Sequence, residues 1–473
     1  MTKKTGTILD YQGAITSPVP GREDEAFHPN WGPAAHEAGV AYICPWEDPA
    51  AGFPEHARRC ARALDDAGMP VHLRSLDASM QVHMHFEVGG ADTVALQEQY
   101  DDLLSKTFDK TLVEIYQVVP DDALLQRLTT HQHLDPRHLA IINRFRVLSC
   151  VFERDRVSEH AVRAFNAVGE VWVANLKDMR MLMDCGVERV AVVPIPHFDN
   201  DPLLRLRGRK RQPGPVRFYH IGKWEPRKAH HEMLGAFLMA FKPGDAKLYF
   251  KTSTRAPDYG AHETTADYLA QNPSFQSGPP GAHMDNLIIP YPSSPEASAH
   301  QWAKDERVQA NGWTIELINA NIYLIKRRIP SRQIVKLHEL SDVYLSLSRG
   351  EGFDMPAYDA TLCGNLLVYT PSGGPQDYES GGIRVPAKGS VQCHPFYKWG
   401  DARYLDWEYQ DAVHALRAAK RRIEAGWGFE TQIQPALRGE AVGSAMRDHL
   451  RRVLDNGQRF LEEQRERERA QET

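Results

Sequence analysis

Two α/β domains, each built on a parallel sheet, are predicted by three observations. The chain has 473 residues, too many for one compact core and suited to two domains of about 150 to 250 residues with additions. Short apolar runs alternate with amphipathic helical stretches, and this alternation occurs twice. Between the two series lies DPLLRLRGRKRQPGP, residues 201–215, a basic stretch closed by Pro and Gly that has the character of an exposed connection.

The composition sets outer limits. With 42% hydrophobic residues, 25% charged residues and nine Trp, there is ample material for packed cores, unlike a disordered chain. The formal charge of -6 excludes the overall basic field on which non-specific nucleic-acid binders rely. Six dispersed cysteines, Cys44, Cys60, Cys150, Cys185, Cys363 and Cys393, form no C-x-x-C pair and read as small buried thiols in a reducing compartment. No apolar leader follows Met1 to Asp10, and no run of about 18 uncharged apolar residues occurs, so a cytoplasmic protein without a transmembrane segment is expected.

Residues 1–38, rich in Pro, Gly and charge, read as an N-terminal extension. The first domain, 39–200, opens with a strand at 40–45 and a loop at 46–53. A helix follows from Pro54, with apolar positions Ala57, Cys60, Ala61 and Leu64 and a stop at Gly68, and then a strand at 71–76. Further strands are expected at 81–88, 111–119, 146–152, 171–174 and 190–194; their apolar runs do not alternate strictly, as in parallel strands buried on both faces. After the 201–215 linker, the second domain, 216–435, has strands at 216–221, 246–252, 322–329, 343–346 and 366–369. Helices are expected over about 228–241 and 411–424, and the Pro-, Ser- and Gly-rich stretch 253–300 reads as an insertion. A charged helix through 446–469, within 436–473, closes the chain and is expected to pack back toward the first domain.

Two segments carry the chemistry. In YHIGKWEPRKAHHEMLGAF, residues 219–237, Gly222 and Lys223 follow a strand, while Arg227 and Lys228 stand at a helix start. The unbonded N–H groups and positive dipole end of a helix face an anion, and two cations can neutralise a departing diphosphate. A solvated basic face is the plain alternative. In SLSRGEGFDMPAYDATLCGNLLVYTPSGGPQ, residues 346–376, a strand ends in a turn formed by Glu351 and residues 352–355. A helix over 356–363 follows, Gly364 ends it, and another strand begins. Glu351 and Asp359 are eight residues apart, about two helical turns, so both carboxylates can address one ligand.

At this point the chain resembles glycosyltransferase family 4, of the GT-B class. The family's acidic pair lies in a phrase like "SxxEGFGLPxLEAMACGxPVV", matched here by SRGEGFDMPAYDATLCGNLLVY, and its diphosphate motif is matched by GKWEPRKA. With Gly52, Trp172, Asn175 and the strand into Pro194, the resemblance extends over most of residues 40–425. It implies a GT-B fold, two Rossmann-like domains facing each other across a cleft, and a retaining sugar transfer that needs no metal and no cofactor beyond a nucleoside-diphosphate sugar as co-substrate. Lys223, Lys228, Gly222 and Gly52 would attend the donor diphosphate; Gly52, without Cβ, would let a first-domain loop approach the phosphates. Glu351 with Gly352, Phe353 and Asp354 would bind the donor sugar, and Asp359 the ribose. Glu351, Lys228 and Glu153 are the residues expected to carry catalysis.

Three departures stand out. Asp359 replaces a Glu, and Lys223 replaces an Arg, giving a point charge in place of a bidentate fork. SCVFER, residues 149–154, lacks the histidine that many members place at the end of a first-domain strand. Glu153, in FERDRVS, is similar to the glutamate of a family branch with a phrase like "WELDRLP". The resemblance implies that the departing phosphate helps deprotonate the acceptor, so no protein nucleophile is needed.

Other features are assigned structural roles: His83 and His85 as a hydrogen-bonded pair, His131 and His133 as a helix start, and Arg205, Arg207, Arg209, Lys210 and Arg211 as a solvated linker. The residues do not identify the acceptor; a glycan, a lipid-linked saccharide or a protein is expected. Two alternatives remain at this stage. One is transfer to a modified base in DNA, for which the Arg205 to Arg211 stretch is the candidate groove. The other is a non-catalytic sugar-nucleotide binder of the same fold.

Overall fold

A computed structural model describes residues 38–46, 52–76, 91–108, 110–120, 122–130, 135–252, 295–325, 329, 331–393, 401–427 and 434–472. The expected strand at 81–88, the histidines at 83, 85, 131 and 133, the extension up to residue 37 and the insertion as far as residue 294 lie outside them. The chain divides into two compact units. The first comprises residues 1–152, 156–199 and 434–473, and the second 153–155 and 200–433.

Six parallel strands form the sheet of the first unit, in the order β2-β1-β3-β4-β5-β6. They are β1 (Ala38–Cys44), β2 (Val71–Ser75), β3 (Lys110–Val118), β4 (Arg146–Cys150), β5 (Glu170–Val173) and β6 (Val190–Val192). β1 is buried at all seven residues, which is why its sequence shows no polar alternation. The helix Gly52–Asp66 buries Ala57, Cys60, Ala61 and Leu64, the stripe read from the sequence. It ends before Gly68, whose φ of 82° suits the left-handed stop of a helix. The closing helix, Gly439–Glu472, belongs to this unit: Val442, Met446 and Leu450 share one core with Val40, Tyr42 and Leu64.

The second unit is also built on six parallel strands, ordered β12-β11-β10-β7-β8-β9. They are β7 (Val216–Ile221), β8 (Ala246–Lys251), β9 (Ile322–Ile325), β10 (Val343–Ser346), β11 (Leu366–Tyr369) and β12 (Ile383–Arg384). Counted along the chain this is the order 3-2-1-4-5-6 of a dinucleotide-binding sheet, which places ligands outside the carboxyl ends of the two strands where the order reverses. Those strands are β7 and β10, paired at Val343 with Phe218 and at Tyr344 with Tyr219. Besides β12 and several short helices, two features stand apart from the sequence reading. The last six residues assigned to the insertion belong to a helix, Pro295–Trp302, whose Trp302 packs in the core. The other is an antiparallel pair, β13 (Gly389–Gln392) and β14 (Arg403–Asp406).

The linker is more ordered than its composition suggests. Residues Pro202–Leu206 form a 3-10 turn capped by Asp201. The Arg209 guanidinium donates to the carbonyls of His338, Glu339, Ser341 and Cys363, tying the ends of the helices Ser331–Leu340 and Met355–Leu362 together.

Candidate donor site

The carboxyl ends of β7 and β10 gather an unusual density of buried charge. Past β7, Gly222 donates its N–H to the Lys251 carbonyl at 3.0 Å, extending the sheet by one residue. That N–H is therefore engaged, and the contribution of Gly222 is room: a Cβ there would lie 2.7 Å from His220 Nε2 and 3.5 Å from Lys228 Cδ. Lys223 is exposed. The chain then turns through a 3-10 segment, Pro226–Lys228, and Ala229 with φ 54° before the helix His230–Ala240 begins. Arg227 and Lys228 thus lie in a separate 3-10 segment before the helix, which begins two residues later than the start expected at about residue 228. The left-handed Ala229 breaks the helical hydrogen-bond run and turns both cations inward, leaving them only 6% and 9% exposed.

Glu351, 3% exposed, lies in the loop after β10 and meets both cations. Lys228 Nζ donates to its Oε1 at 2.5 Å, and Arg227 Nη1 is 3.3 Å from the same oxygen. Arg227 also pairs with Glu225 at 2.5 Å and Glu153 at 3.0 Å, and donates to the Gly350 carbonyl at 2.6 Å. The loop is fixed from behind: the Arg349 N–H donates to the Arg227 carbonyl at 2.8 Å and the Glu351 N–H to that of Ser372 at 3.1 Å. Arg349 itself is buried between Glu232 at 2.9 Å and Asp406 at 3.2 Å.

These pairings set the protonation states. Burial alone would raise the Glu351 carboxyl, but Lys228 and Arg227 outweigh it and hold the group well below the ordinary carboxylate range. Burial works against the Lys228 ammonium in the same way, and Glu351 overcomes it and keeps the cation. Glu153 goes the other way. Its burial, with the repulsion of Glu351 and Glu225, exceeds the pull of Arg227 and raises it to about 7. Asp354 is raised to about 6 by burial and by the charge of Glu351.

The structure brings Lys228, Glu351 and Glu153 together, with Gly222 beside Lys228 and the 352–354 segment continuing from Glu351. The helix carrying Asp359 starts only at Met355, so Glu351 is not on it and the two-turn spacing does not apply to the pair. The Asp359 carboxylate acts electrostatically on Tyr219 and Cys363. Gly52 begins a helix of the first unit and is exposed. Residues 153–155 group with the second unit, where Asp155 Oδ1 accepts the Arg403 N–H at 2.7 Å and a Cβ on Gly350 would lie 2.1 Å from the Glu153 carbonyl oxygen. Sequence reasoning left out Glu225, Glu232, Arg349 and the hub role of Arg227, because nothing in a linear spacing shows which of several neighbouring charges will be buried. Among the described residues no group of three or more His, Cys, Asp or Glu side chains is placed to hold a metal ion.

No family model matches the sequence, and no curated protein matches it either. Solved structures do. The α,α-trehalose-phosphate synthase (UDP-forming) from Burkholderia vietnamiensis is similar at 11% identity and a TM-score of 0.50, over 89% of this chain and 100% of that one. Sucrose-phosphate synthase from Thermosynechococcus elongatus is similar at 13% identity and a TM-score of 0.46, over 90% and 98%. The likeness is one of fold. It is the GT-B class of two Rossmann-like α/β domains, expected from the sequence and present in both sheets.

Proposed function

We propose that this chain is a retaining, metal-independent glycosyltransferase of family 4 that moves a sugar from a nucleoside diphosphate to an acceptor hydroxyl. The observation that carries the reading is the buried Lys228–Glu351 pair at the carboxyl ends of β7 and β10, where a sheet of this order receives a nucleotide. Lys228 has three N–H donors, so it can keep Glu351 in place with one and offer the others to the oxygens of a departing diphosphate. Glu351, kept ionised, is an acceptor for sugar hydroxyls. Arg227 holds Glu351 and Glu153 in a fixed relation, and this pre-arranged charge is what accelerates bond cleavage to the phosphate. The UDP-forming activity named for the Burkholderia protein makes uridine the first base to test.

The basic stretch gives little to a DNA acceptor. The Arg209 guanidinium is occupied by four carbonyls and by Asn365, and Arg211 lies 3.5 Å from Asp342 and donates to the Gly214 carbonyl. A cytoplasmic setting is supported by six free cysteines, five of them buried, and no described helix is long and apolar enough to cross a membrane. The test is sugar release or transfer from UDP-sugars by purified protein. Turnover is expected in the native chain and not in Glu351→Ala. Equal rates in the two would refute the assignment, and tight donor binding without turnover on any acceptor would leave a binding protein instead.

A further inference from the structure

The antiparallel pair β13 and β14, absent from the sequence reading, is fastened to the loop that carries Glu351. Leu405, in β14, donates its N–H to the Arg349 carbonyl at 3.1 Å, and Asp406 Oδ1 accepts from Arg349 Nε at 3.2 Å. Just beyond the strand, Trp407 Nε1 donates to the Leu347 carbonyl at 2.8 Å. The far end of the same loop is closed by Asp354, at φ 60°, which accepts from Ser346 Oγ. Two strands alone are marginally stable, and the cluster of Cys393, Ala402 and Tyr404 with Val391 is small, so the hairpin depends on what it is fastened to.

It reaches a second segment as well. Residues 153–155 follow β4 in the chain yet group with the second unit. The Arg403 N–H donates to Asp155 Oδ1 at 2.7 Å. A Cβ on Gly350 would lie 2.1 Å from the Glu153 carbonyl oxygen and 3.3 Å from Tyr404 Cδ1, so the Glu153 backbone, Gly350 and the Tyr404 ring meet at one point. Tyr404 and Cys393 are buried. Tyr404 interacts electrostatically with Glu153, Glu225 and Arg227, and Cys393 with Asp155, Arg154 and Arg227.

Glu153 needs such a restraint. Its carboxyl pairs with Arg227 at 3.0 Å, and of the groups facing it Arg227 and Lys228 favour its charge, while burial, Glu351 and Glu225 oppose it. An unrestrained side chain in that balance would turn to water, and a fixed backbone prevents the turn.

We propose that the β13–β14 hairpin is a clamp that positions Glu153 in the donor site, with Asp155 as the positioning residue: by taking the Arg403 N–H it fixes the 153–155 backbone against Gly350 and keeps the Glu153 carboxyl at Arg227. The bearing of the clamp on sugar transfer rests on reading the second unit as the donor site, whereas the clamp itself does not.

Asp155 is exposed, so its replacement is expected to leave the fold intact. Asparagine keeps an oxygen for the Arg403 N–H and removes the charge, while alanine removes both. Melting temperatures at pH 8 and pH 5 compare Glu153→Gln with its parent in the native, Asp155→Asn and Asp155→Ala backgrounds. At pH 8 Glu153→Gln should melt higher by about 2 °C or more in the native and Asp155→Asn backgrounds, with the gap closing at pH 5. In Asp155→Ala, where the freed carboxyl reaches water, the gap at pH 8 should shrink to under about 1 °C. Asp155→Ala should also lower turnover of a UDP-sugar about tenfold or more, with UDP affinity within about twofold of native, and Asp155→Asn should restore the rate. An equal gap in all three backgrounds, zero included, or its loss in Asp155→Asn as in Asp155→Ala, overturns the clamp. Unchanged turnover in Asp155→Ala overturns its part in the reaction. Failure of the native chain to bind UDP counts against the donor-site reading alone, and the melting comparison still decides the clamp.

Discussion

The two units carry sheets of the same kind and treat the reversal point of the strand order very differently. In the first unit the order reverses between β1 and β3, and the described groups there are neutral pairs together with one buried cation, Arg58, which pairs with Glu55 at 2.7 Å and donates to the Trp46 carbonyl. Tyr42 Oη donates to Gln117 Oε1 at 2.7 Å, Gln117 Nε2 to the Phe53 carbonyl at 3.0 Å, and Trp46 Nε1 to Ser75 Oγ at 3.0 Å. In the second unit the equivalent point holds Glu153, Glu225, Arg227, Lys228, Glu351 and Asp354, with Arg349 and Glu232 behind them. A scaffold that folds with a single buried ion pair among the described groups at this point has no need of so much buried charge, which is destabilising unless fully paired. The difference supports the donor site proposed for the second unit.

That contrast can be strained from several sides. The largest effect is expected from Arg227→Ala, which strands Glu351, Glu225 and Glu153 without their shared cation. Breaking such a buried pairing costs about 3–5 kcal/mol, to be read from denaturant unfolding, and a loss under about 1 kcal/mol would mean that the cluster is not held together as described. Next, Lys228→Ala should lower turnover about 10²–10³-fold, the usual consequence of removing one donor to a developing anion; steady-state rates on a UDP-sugar check it. Gly350→Ala should destabilise by about 1–3 kcal/mol, because the new methyl meets the Glu153 carbonyl oxygen at 2.1 Å and backbone cannot yield as a side chain can.

A smaller effect concerns pH. The Glu153 carboxyl is raised from 4.5 to about 7, so the folded state binds this proton more tightly than the unfolded chain does. The associated stability is complete below about pH 4.5 and is lost as pH rises through about 7. Glu153→Gln should therefore melt higher than the native chain at pH 8, by about 2–4 °C per kcal/mol recovered, with the gap closing at pH 5. A gap of the opposite sign would contradict the repulsion assigned to Glu351 and Glu225.

The sequence shows the sheets more clearly than the site. Strands at 216–221, 343–346 and 366–369 are legible to the residue, because a parallel strand buried on both faces is a compact apolar run with turn residues at each end. β12, two residues long, and the antiparallel β13 and β14 carry too little apolar signal to be distinguished from loop. Lys228 and Glu351 are legible because each sits at a fixed offset from a strand end. Their direct pairing is not, since it depends on the left-handed turn at Ala229 and on a loop closed by Ser346 and Asp354, and neither alanine nor aspartate announces a positive φ. Arg209, read as a solvated linker residue, serves instead as a cap for two helix ends, because a basic stretch in sequence gives no indication of which of its members faces inward.

The central claim is that Lys228, held by Glu351, grips a diphosphate. Calorimetric titration of UDP, ADP and GDP into the native chain and Lys228→Ala tests it most directly. At least one of the three should bind the native chain and raise its melting temperature, with affinity reduced about tenfold or more in the variant through loss of a charge-assisted contact. Binding that is indifferent to Lys228, or no binding of any nucleoside diphosphate, would contradict the account.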